Sequence, residues 1–320
     1  MTPTICLAPL KGITDAIFRT TYAEFFEGID WAITPFLTTV QGTRVKPHHL
    51  RQVLPENNRV MPVIPQIISK RAANFVLLAK ALSDLGYSSV NWNLGCPYPM
   101  VARKGRGSGM LPNPDRVAAF LDRVLTAVKL RLSIKMRLGR FHVHEIETLL
   151  PRLNGYPIES IVIHPRTGVQ MYSGRPDLAS FEKCLALTRH PVIYNGDIVC
   201  PADYEGLQAR FPQIKTWMIG RGVIIDPFLP SGIKWPGKDY SNPIQHFRAF
   251  HDRLFERYQA ALSGPSHLLD RMKGLWRYFS EGFENGREIR KRIHKSTHID
   301  PYLDVVQRYF DGQPARIDRR

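Results

Sequence analysis

The stretch NWNLGCPYPMVARKGRGSGML, residues 91–111, sets a lone cysteine, Cys96, where an apolar run stops, follows it with proline, and continues into a loop of glycines and cations. A thiol in that place has three uses open to it: packing in a core, holding a metal, or taking part in chemistry on an anionic substrate. Spacing gives the metal no support. Cys6, Cys96, Cys184 and Cys200 are scattered without a C-x-x-C pair, so neither a zinc or iron–sulfur site nor a disulfide framework is indicated. Cys6 and Cys200, in or beside apolar runs, read as small core residues. The HVHE run at 142–145 resembles a metal-ligand pair but has no third ligand in a motif relationship, so surface histidines are expected there.

Other chemistry-bearing side chains stand in equivalent places, each at the C-terminal end of a short β-type run. Pro9 to Gly12 follow TICLAP (4–9), Thr34 ends DWAIT (30–34), Gln66 closes MPVIPQI (61–67), and Asn93 and Cys96 end SVNWN (89–93). Lys135 and Arg137 lie in LSIKMR (132–137), His164 and Arg166 at the end of ESIVIH (159–164), Asn195 to Asp197 after PVIYN (191–195), and Gly220 with Arg221 after TWMIG (216–220). Eight nearly continuous apolar runs with helix-length connections predict a parallel sheet covered on its outer face, and the number predicts closure into a (β/α)8 TIM barrel. An open doubly wound sheet is the other α/β solution, but no G-x-G-x-x-G follows the first run, which counts against a dinucleotide-binding version. In a barrel the polar ends converge on one rim, where such enzymes build their active sites. Lys135 points inward from its strand, a costly place for a cation without an anionic partner.

The proline- and glycine-rich stretch 226–243 reads as a linker, which divides the chain into a catalytic barrel, 1–240, and a small all-helical domain, 241–320. Beyond it, Phe247, Phe250, Leu254, Tyr258 and Ala261 recur at helical spacing; after the SGP break at 263–265, so do Leu268, Leu269, Met272, Leu275, Trp276 and Phe279. Arg271, Lys273, Arg277, Arg287, Arg290, Lys291, Arg292 and Lys295 lie between and beyond them as a cationic face. Lys plus Arg number 44 against 28 Asp plus Glu, a formal charge of +16, which favours a polyanionic partner such as nucleic acid. At 43% hydrophobic and 22% charged the composition is that of an ordinary globular protein. No apolar run is long enough to span a bilayer, and the N-terminal run lacks the basic region and long apolar stretch of a secretory signal, so a cytoplasmic protein is expected.

Six segments in register carry a resemblance: LAPLKGITDAIFR at the first strand, NLGCP with GSGML after the fourth, IKMRLG at the fifth, IHPRTGVQMYSG at the sixth, YNGDI at the seventh and MIGRG at the eighth. Together they resemble the tRNA-dihydrouridine synthases. The resemblance implies an FMN-binding barrel, reduced by NADPH, that saturates the C5–C6 double bond of a uridine in tRNA, with the D-loop as the expected region. It implies that Cys96 is the general acid delivering a proton to C5, a task suited to a thiol whose ordinary pKa of about 8.5 keeps it protonated at neutral pH. It implies that Lys135 lies beside the flavin N1 and C2 carbonyl edge, that Gln66 hydrogen-bonds the pyrimidine edge of the ring, and that Pro9, Leu10 and Lys11 pass along it. His164 matches a cofactor-contacting position, and Asn195, Gly196, Asp197, Gly220 and Arg221 occupy the two loops where barrels commonly hold phosphate.

Asn93, Arg137, Arg166 and Tyr172 are expected to face the substrate, with Lys273, Arg277 and Arg290 on the RNA-binding surface. An aromatic or guanidinium plane can stack on a base lifted out of its fold. The chain departs from the family at ITPFLTT, where Pro35 stands in place of a glutamate that many members carry after the second strand, so that edge of the pocket is lined differently. The expected partners are tRNA and no membrane or metal, in a monomeric protein. Three alternatives stay open on sequence: an rRNA substrate, a dihydroorotate-dehydrogenase-like flavin barrel acting on a free pyrimidine, and an RNA-binding protein without activity.

Overall fold

A computed structural model describes residues 2–38 and 44–317. Ten short strands form one all-parallel sheet: β1 (Thr4–Leu7), β2 (Trp31–Ile33), β3 (Leu37–Thr38), β4 (Val63–Ile64), β5 (Gln66–Ile68), β6 (Ser89–Leu94), β7 (Arg131–Gly139), β8 (Ile158–Thr167), β9 (Val192–Asn195) and β10 (Thr216–Ile219). Their order is β3-β5-β6-β7-β8-β9-β10-β1-β2-β4. The two ends of that order are not edges. β4 runs into β5 across Pro65, and β2 into β3 across Thr34, Pro35 and Phe36, so the ring closes and the ten segments make eight staves. The prolines explain the breaks, since neither offers an N–H to the ladder. At the gap the Gln66 N–H donates instead to Thr34 Oγ1 at 3.1 Å. All eight predicted strands are present.

Alternation along the strands assigns the faces. The outward residues Trp92, Leu94, Ile134, Met136, Leu138 and Ile163 join the main apolar core beneath the surrounding helices. Inward, Cys6, Ala8, Ile33, Val162, Ile193 and Met218 plug the barrel as a separate apolar cluster. Further along the inward rows the residues turn polar: Asn91 and Asn93 on β6, Lys135 and Arg137 on β7, His164 and Arg166 on β8. One end of the barrel is thus dry and the other chemically equipped. Cys6 and Cys184 are buried as core residues, whereas Cys200 is only half-buried, standing at the N-cap of the helix Pro201–Arg210.

The first half of the stretch expected to be a linker is packed structure. Leu229–Lys234 is helical, Phe228 packs edge-on against Phe26 with ring centroids 4.9 Å apart, and the Tyr22 hydroxyl donates to the Pro227 carbonyl at 2.8 Å. A Cβ on Gly28 would lie 2.6 Å from the Pro230 carbonyl carbon, so only glycine admits this approach. Proline and glycine here fit a tight apposition rather than a free connection. The helices Pro243–Ala261, Pro265–Phe279, Gly286–Lys295 and Ile299–Asp311 follow. They share the main core with the barrel's first helix, Ala16–Phe25, through Phe250 against Phe18 and Tyr22.

Arg271, read from sequence as part of the exposed cationic face, turns back onto the barrel. It pairs with Asp15 at 3.3 Å, donates to the Gly12 carbonyl and lies over the Tyr258 ring. Asp15 also accepts from the Tyr258 hydroxyl at 2.8 Å while capping the first helix through the Phe18 N–H. Among the described residues no helix is long and apolar enough to cross a membrane.

Candidate active site

A cavity of about 520 Å³ opens at the C-terminal ends of the strands. A larger hollow of about 650 Å³ lies at the opposite end, among strand starts such as Trp31, Val63 and Thr216. That hollow is lined by no cysteine or histidine, and its Glu159 already pairs with Arg131 at 3.0 Å, so the smaller cavity is the candidate site.

The smaller cavity gathers most of the residues singled out by sequence. Pro9, Leu10 and Lys11 approach from the loop after β1, Asn93 and Cys96 from the end of β6, and Lys135 and Arg137 from β7. His164 and Tyr172 come from β8 and its loop, Asn195, Gly196 and Asp197 from β9, and Gly220 and Arg221 from β10. Arg277 reaches it from the C-terminal helices, together with Tyr278 and Glu281, which sequence reasoning passed over. Tyr278 sat on a helix face that pattern alone could not orient toward the barrel. Lys273 and Arg290 do not line the cavity; they lie on the helical surface, each partly exposed.

Cys96 is 7% exposed, and its backbone is held from both sides. Asn93 Oδ1 accepts from the Gly95 N–H at 3.1 Å and the Cys96 N–H at 2.9 Å. Across the loop, a Cβ on Gly107, whose φ is +56°, would fall 2.8 Å from the Cys96 Cβ. Burial raises the Cys96 thiol above its ordinary pKa; a backbone hydrogen bond near Tyr98 and the charges of Lys11, Arg137 and Arg140 pull back without cancelling it. The group therefore stays a protonated donor at neutral pH.

Gln66 does not reach the cavity. It is fully buried, its Nε2 donating to Asn91 Oδ1 at 2.7 Å and its Oε1 accepting from Asn93 Nδ2 at 2.7 Å. Asn91 Nδ2 passes the chain on to Ser133 Oγ at 2.8 Å. Each amide accepts on one side and donates on the other, so the orientation of all three is set by the row itself. The side chain thus belongs to a polar row that ends at the Cys96 turn.

Lys135 donates to Asn195 Oδ1 at 2.6 Å, and Asn195 Nδ2 donates to the Met218 carbonyl at 2.9 Å. Both ends of Asn195 are thereby engaged, and it positions the lysine. Burial lowers the Lys135 pKa to about 7, with the nearby Arg137 charge adding to the effect. Arg137 donates to the Thr167 carbonyl at 2.8 Å, and its guanidinium carbon lies 5.4 Å from the Tyr172 ring centroid. Arg221 flanks the same ring at 4.9 Å.

Arg166, expected to meet substrate, is 1% exposed and faces inward. Its Nη1 donates to Asp197 Oδ1 at 2.9 Å, its Nη2 to the same carboxylate and to the Gly174 carbonyl at 2.6 Å. Nη1 also lies 3.1 Å from His164 Nε2. A guanidinium can only donate, so that imidazole nitrogen is the acceptor and the ring proton sits on Nδ1. Burial and the charges of Arg137, Lys135, Arg166 and Arg221 hold His164 well below the usual histidine pKa, in keeping with a neutral ring. Burial alone would raise Asp197, but the hydrogen bond and charge of Arg166 and the charge of Arg221 outweigh it and lower its pKa. Arg221 accordingly pairs with Asp197 at 2.7 Å, where sequence reasoning placed it on a phosphate.

The charge balance of the site tests whether a flavin suits it. Among the described residues Lys135 and Arg137 have no carboxylate partner, and Asp197 is shared between two arginines. Cations withdrawn from water without counter-charge are costly, and an anionic ligand relieves that cost. A flavin carrying a phosphate and accumulating negative charge on its ring when reduced fits this surplus, and the cavity is of ligand size.

The comparisons agree with this reading. A family profile described as "Dihydrouridine synthase (Dus)" matches residues 6–311. A probable tRNA-dihydrouridine synthase of Rhodobacter capsulatus is 29% identical over 82% of this chain and 80% of its own. Probable tRNA-dihydrouridine synthase 2 of Bacillus subtilis is 27% identical over 97% and 96%. Among solved structures, a morphinone reductase mutant in complex with tetrahydroNAD has a TM-score of 0.53 at 9% identity, covering 76% of this chain and 90% of that one. Histamine dehydrogenase from Rhizobium sp. 4-9 has a TM-score of 0.55 at 12% identity over 72% of this chain, which spans 45% of its length. At such identities these two share the barrel fold and nothing finer. The family match across nearly the whole chain places this protein in the dihydrouridine synthase family of flavin-dependent oxidoreductases.

Proposed function

We propose that this protein reduces the C5–C6 double bond of a uridine in the D-loop of tRNA, with FMN as its bound cofactor and NADPH as reductant. The observation that carries the reading is that the Cys96 thiol and the Lys135 ammonium line one cavity. When bound and reduced, the flavin supplies hydride to C6. Lys135, held by Asn195, would set a positive charge beside the ring edge where reduction leaves negative charge, and Pro9, Leu10 and Lys11 would pass along the ring. Gly196, Gly220 and Arg221 are the residues proposed to hold the phosphate, with Arg221 exchanging its contact to Asp197 for the ligand.

His164, fixed as the Nδ1–H tautomer, would offer one donor to the cofactor. Cys96 keeps on its sulfur the proton that C5 requires. Arg137 and Tyr172, already stacked on each other, would face the lifted pyrimidine, with Asn93 holding the turn that presents the thiol. Arg277 at the cavity and Lys273 and Arg290 on the helical segment 241–320 would meet RNA phosphates, in keeping with the net charge of +16. A cytoplasmic monomer is the form in which we expect it to act.

The experiment is deletion of the gene followed by mapping of dihydrouridine in total tRNA and rRNA. Loss at one or a few tRNA positions, restored by the wild-type gene and not by Cys96→Ala, is expected. Unchanged tRNA modification would overturn the proposed substrate, and loss confined to rRNA would reassign it.

A further inference from the structure

The rim beside Cys96 carries apolar surface that a solitary enzyme has no reason to expose. Phe141 is 54% exposed, Tyr98 48% and Met100 81%, and His142 and His144 are exposed as well. Four of the groups in this region form a pile: the Arg140 guanidinium carbon lies 5.6 Å from the Phe141 ring centroid, Phe141 6.5 Å from His142, and His142 stacks on His144 at 5.3 Å with the planes 9° apart.

The turn that displays this pile is held rigidly. Glu145 accepts from the backbone N–H groups of Arg140 at 2.7 Å, Phe141 at 2.9 Å and His142 at 3.0 Å, and a Cβ on Gly139 would lie 2.0 Å from the His142 carbonyl oxygen. It is also tied to the catalytic loop, because Arg140 Nη1 donates to the Pro97 carbonyl at 3.0 Å, one residue from the thiol. The three loops concerned, 96–113, 139–145 and 167–176, contain Arg103, Lys104, Arg106, Arg140 and Arg175 against one acid, Glu145, whose carboxylate is spent on the turn.

Preorganised aromatic faces among unopposed cations match a chain of nucleotides with its bases unstacked, since any base can lie on a π-face while its phosphate meets an arginine or lysine. A protein partner would want acidic groups to meet these cations as well as apolar ones, and it would gain nothing from the parallel stacking.

Resting on the proposed RNA substrate, the geometry points to a stacking platform: Phe141, His142 and Tyr98 take the bases of nucleotides flanking the reacting uridine, and Arg103, Lys104 and Arg140 take their phosphates. The enzyme therefore reads its substrate as a locally single-stranded segment splayed across the rim. The HVHE run becomes part of that surface.

The test uses the flavin-loaded full chain and unmodified transcript. A Phe141→Ala/His142→Ala double variant should raise the KM for transcript about a hundredfold, roughly tenfold for each of the two base–aromatic stacks lost, while the rate at saturation falls less than about threefold. In a second variant, Phe141→Trp, the new indole emission should be quenched on adding a short single-stranded oligouridine and unmoved by a fully paired duplex RNA. If the wild-type enzyme modifies transcript while the double variant keeps its KM, or while the emission of the introduced indole ignores single strands, the platform is refuted and the RNA reading stands. If the wild-type enzyme modifies no RNA at all, it is the proposed function that fails.

Discussion

Lys135 Nζ rests 2.6 Å from Asn195 Oδ1, and no carboxylate pairs with it among the described residues. The ammonium is thus held by a neutral amide, while the Asp197 carboxylate of the same cavity is taken by Arg166 and Arg221.

A pH signature follows from this. The folded pKa of about 7 lies below the unfolded value, so between roughly pH 7 and 10 the unfolded chain binds one more proton and stability rises with pH, the destabilisation being fully present below pH 7. In flavin-free protein, Lys135→Met should abolish that rise and at pH 7 be the more stable form by on the order of a few kcal/mol, as urea denaturation would show. The same variant should bind flavin more weakly by equilibrium dialysis.

Gln66 joins Asn91 and Asn93 in a one-way row of amides. Gln66→Met leaves buried polar groups on both sides without their partners, a loss of about 1–3 kcal/mol in urea unfolding. Because the row ends at the Cys96 turn, turnover should drop more than flavin affinity does, which steady-state kinetics beside a flavin titration would separate.

Gly107 carries both a left-handed φ of +56° and a close approach to Cys96. Gly107→Ala should cost about 2 kcal/mol or more and displace the thiol loop. Activity should fall beyond what the loss of folded protein explains; equal specific activity in the folded fraction would show that the loop tolerates the methyl group.

Tyr258 anchors the C-terminal helices to the barrel through Asp15. Tyr258→Phe should lower stability by about 1–2 kcal/mol, and Asp15→Ala by more, because it also removes the cap of the first helix and the partner of Arg271. Unfolding should remain one cooperative transition, since the core is shared across the two parts of the chain.

Much of this was legible because barrel strands write their burial into the sequence. Apolar runs ending in Asn93, Lys135, His164 and Asn195 mark both the eight staves and the rim. What pattern could not supply is which neighbour takes each polar group. Arg166 and Gln66 are residue types suited to a ligand, yet both are consumed by partners distant in the chain, Asp197 and the pair Asn91 and Asn93. Arg271 has the spacing of a solvent-facing cation and is claimed by Asp15, near the other end of the chain, in a contact no periodicity encodes. Pro- and Gly-rich composition signals a departure from long helices, and at 226–234 that departure is a tight packing against Gly28 and Phe26 rather than freedom.

The central claim, that Cys96 donates the proton accompanying reduction of the pyrimidine, is tested most directly by stopped-flow oxidation of the reduced flavin on mixing with unmodified tRNA under anaerobic conditions. Cys96→Ala is expected to bind the tRNA as tightly as wild type and to reoxidise about 10²- to 10⁴-fold more slowly, the usual worth of a positioned acid. Reoxidation at the wild-type rate, with dihydrouridine formed, would contradict it.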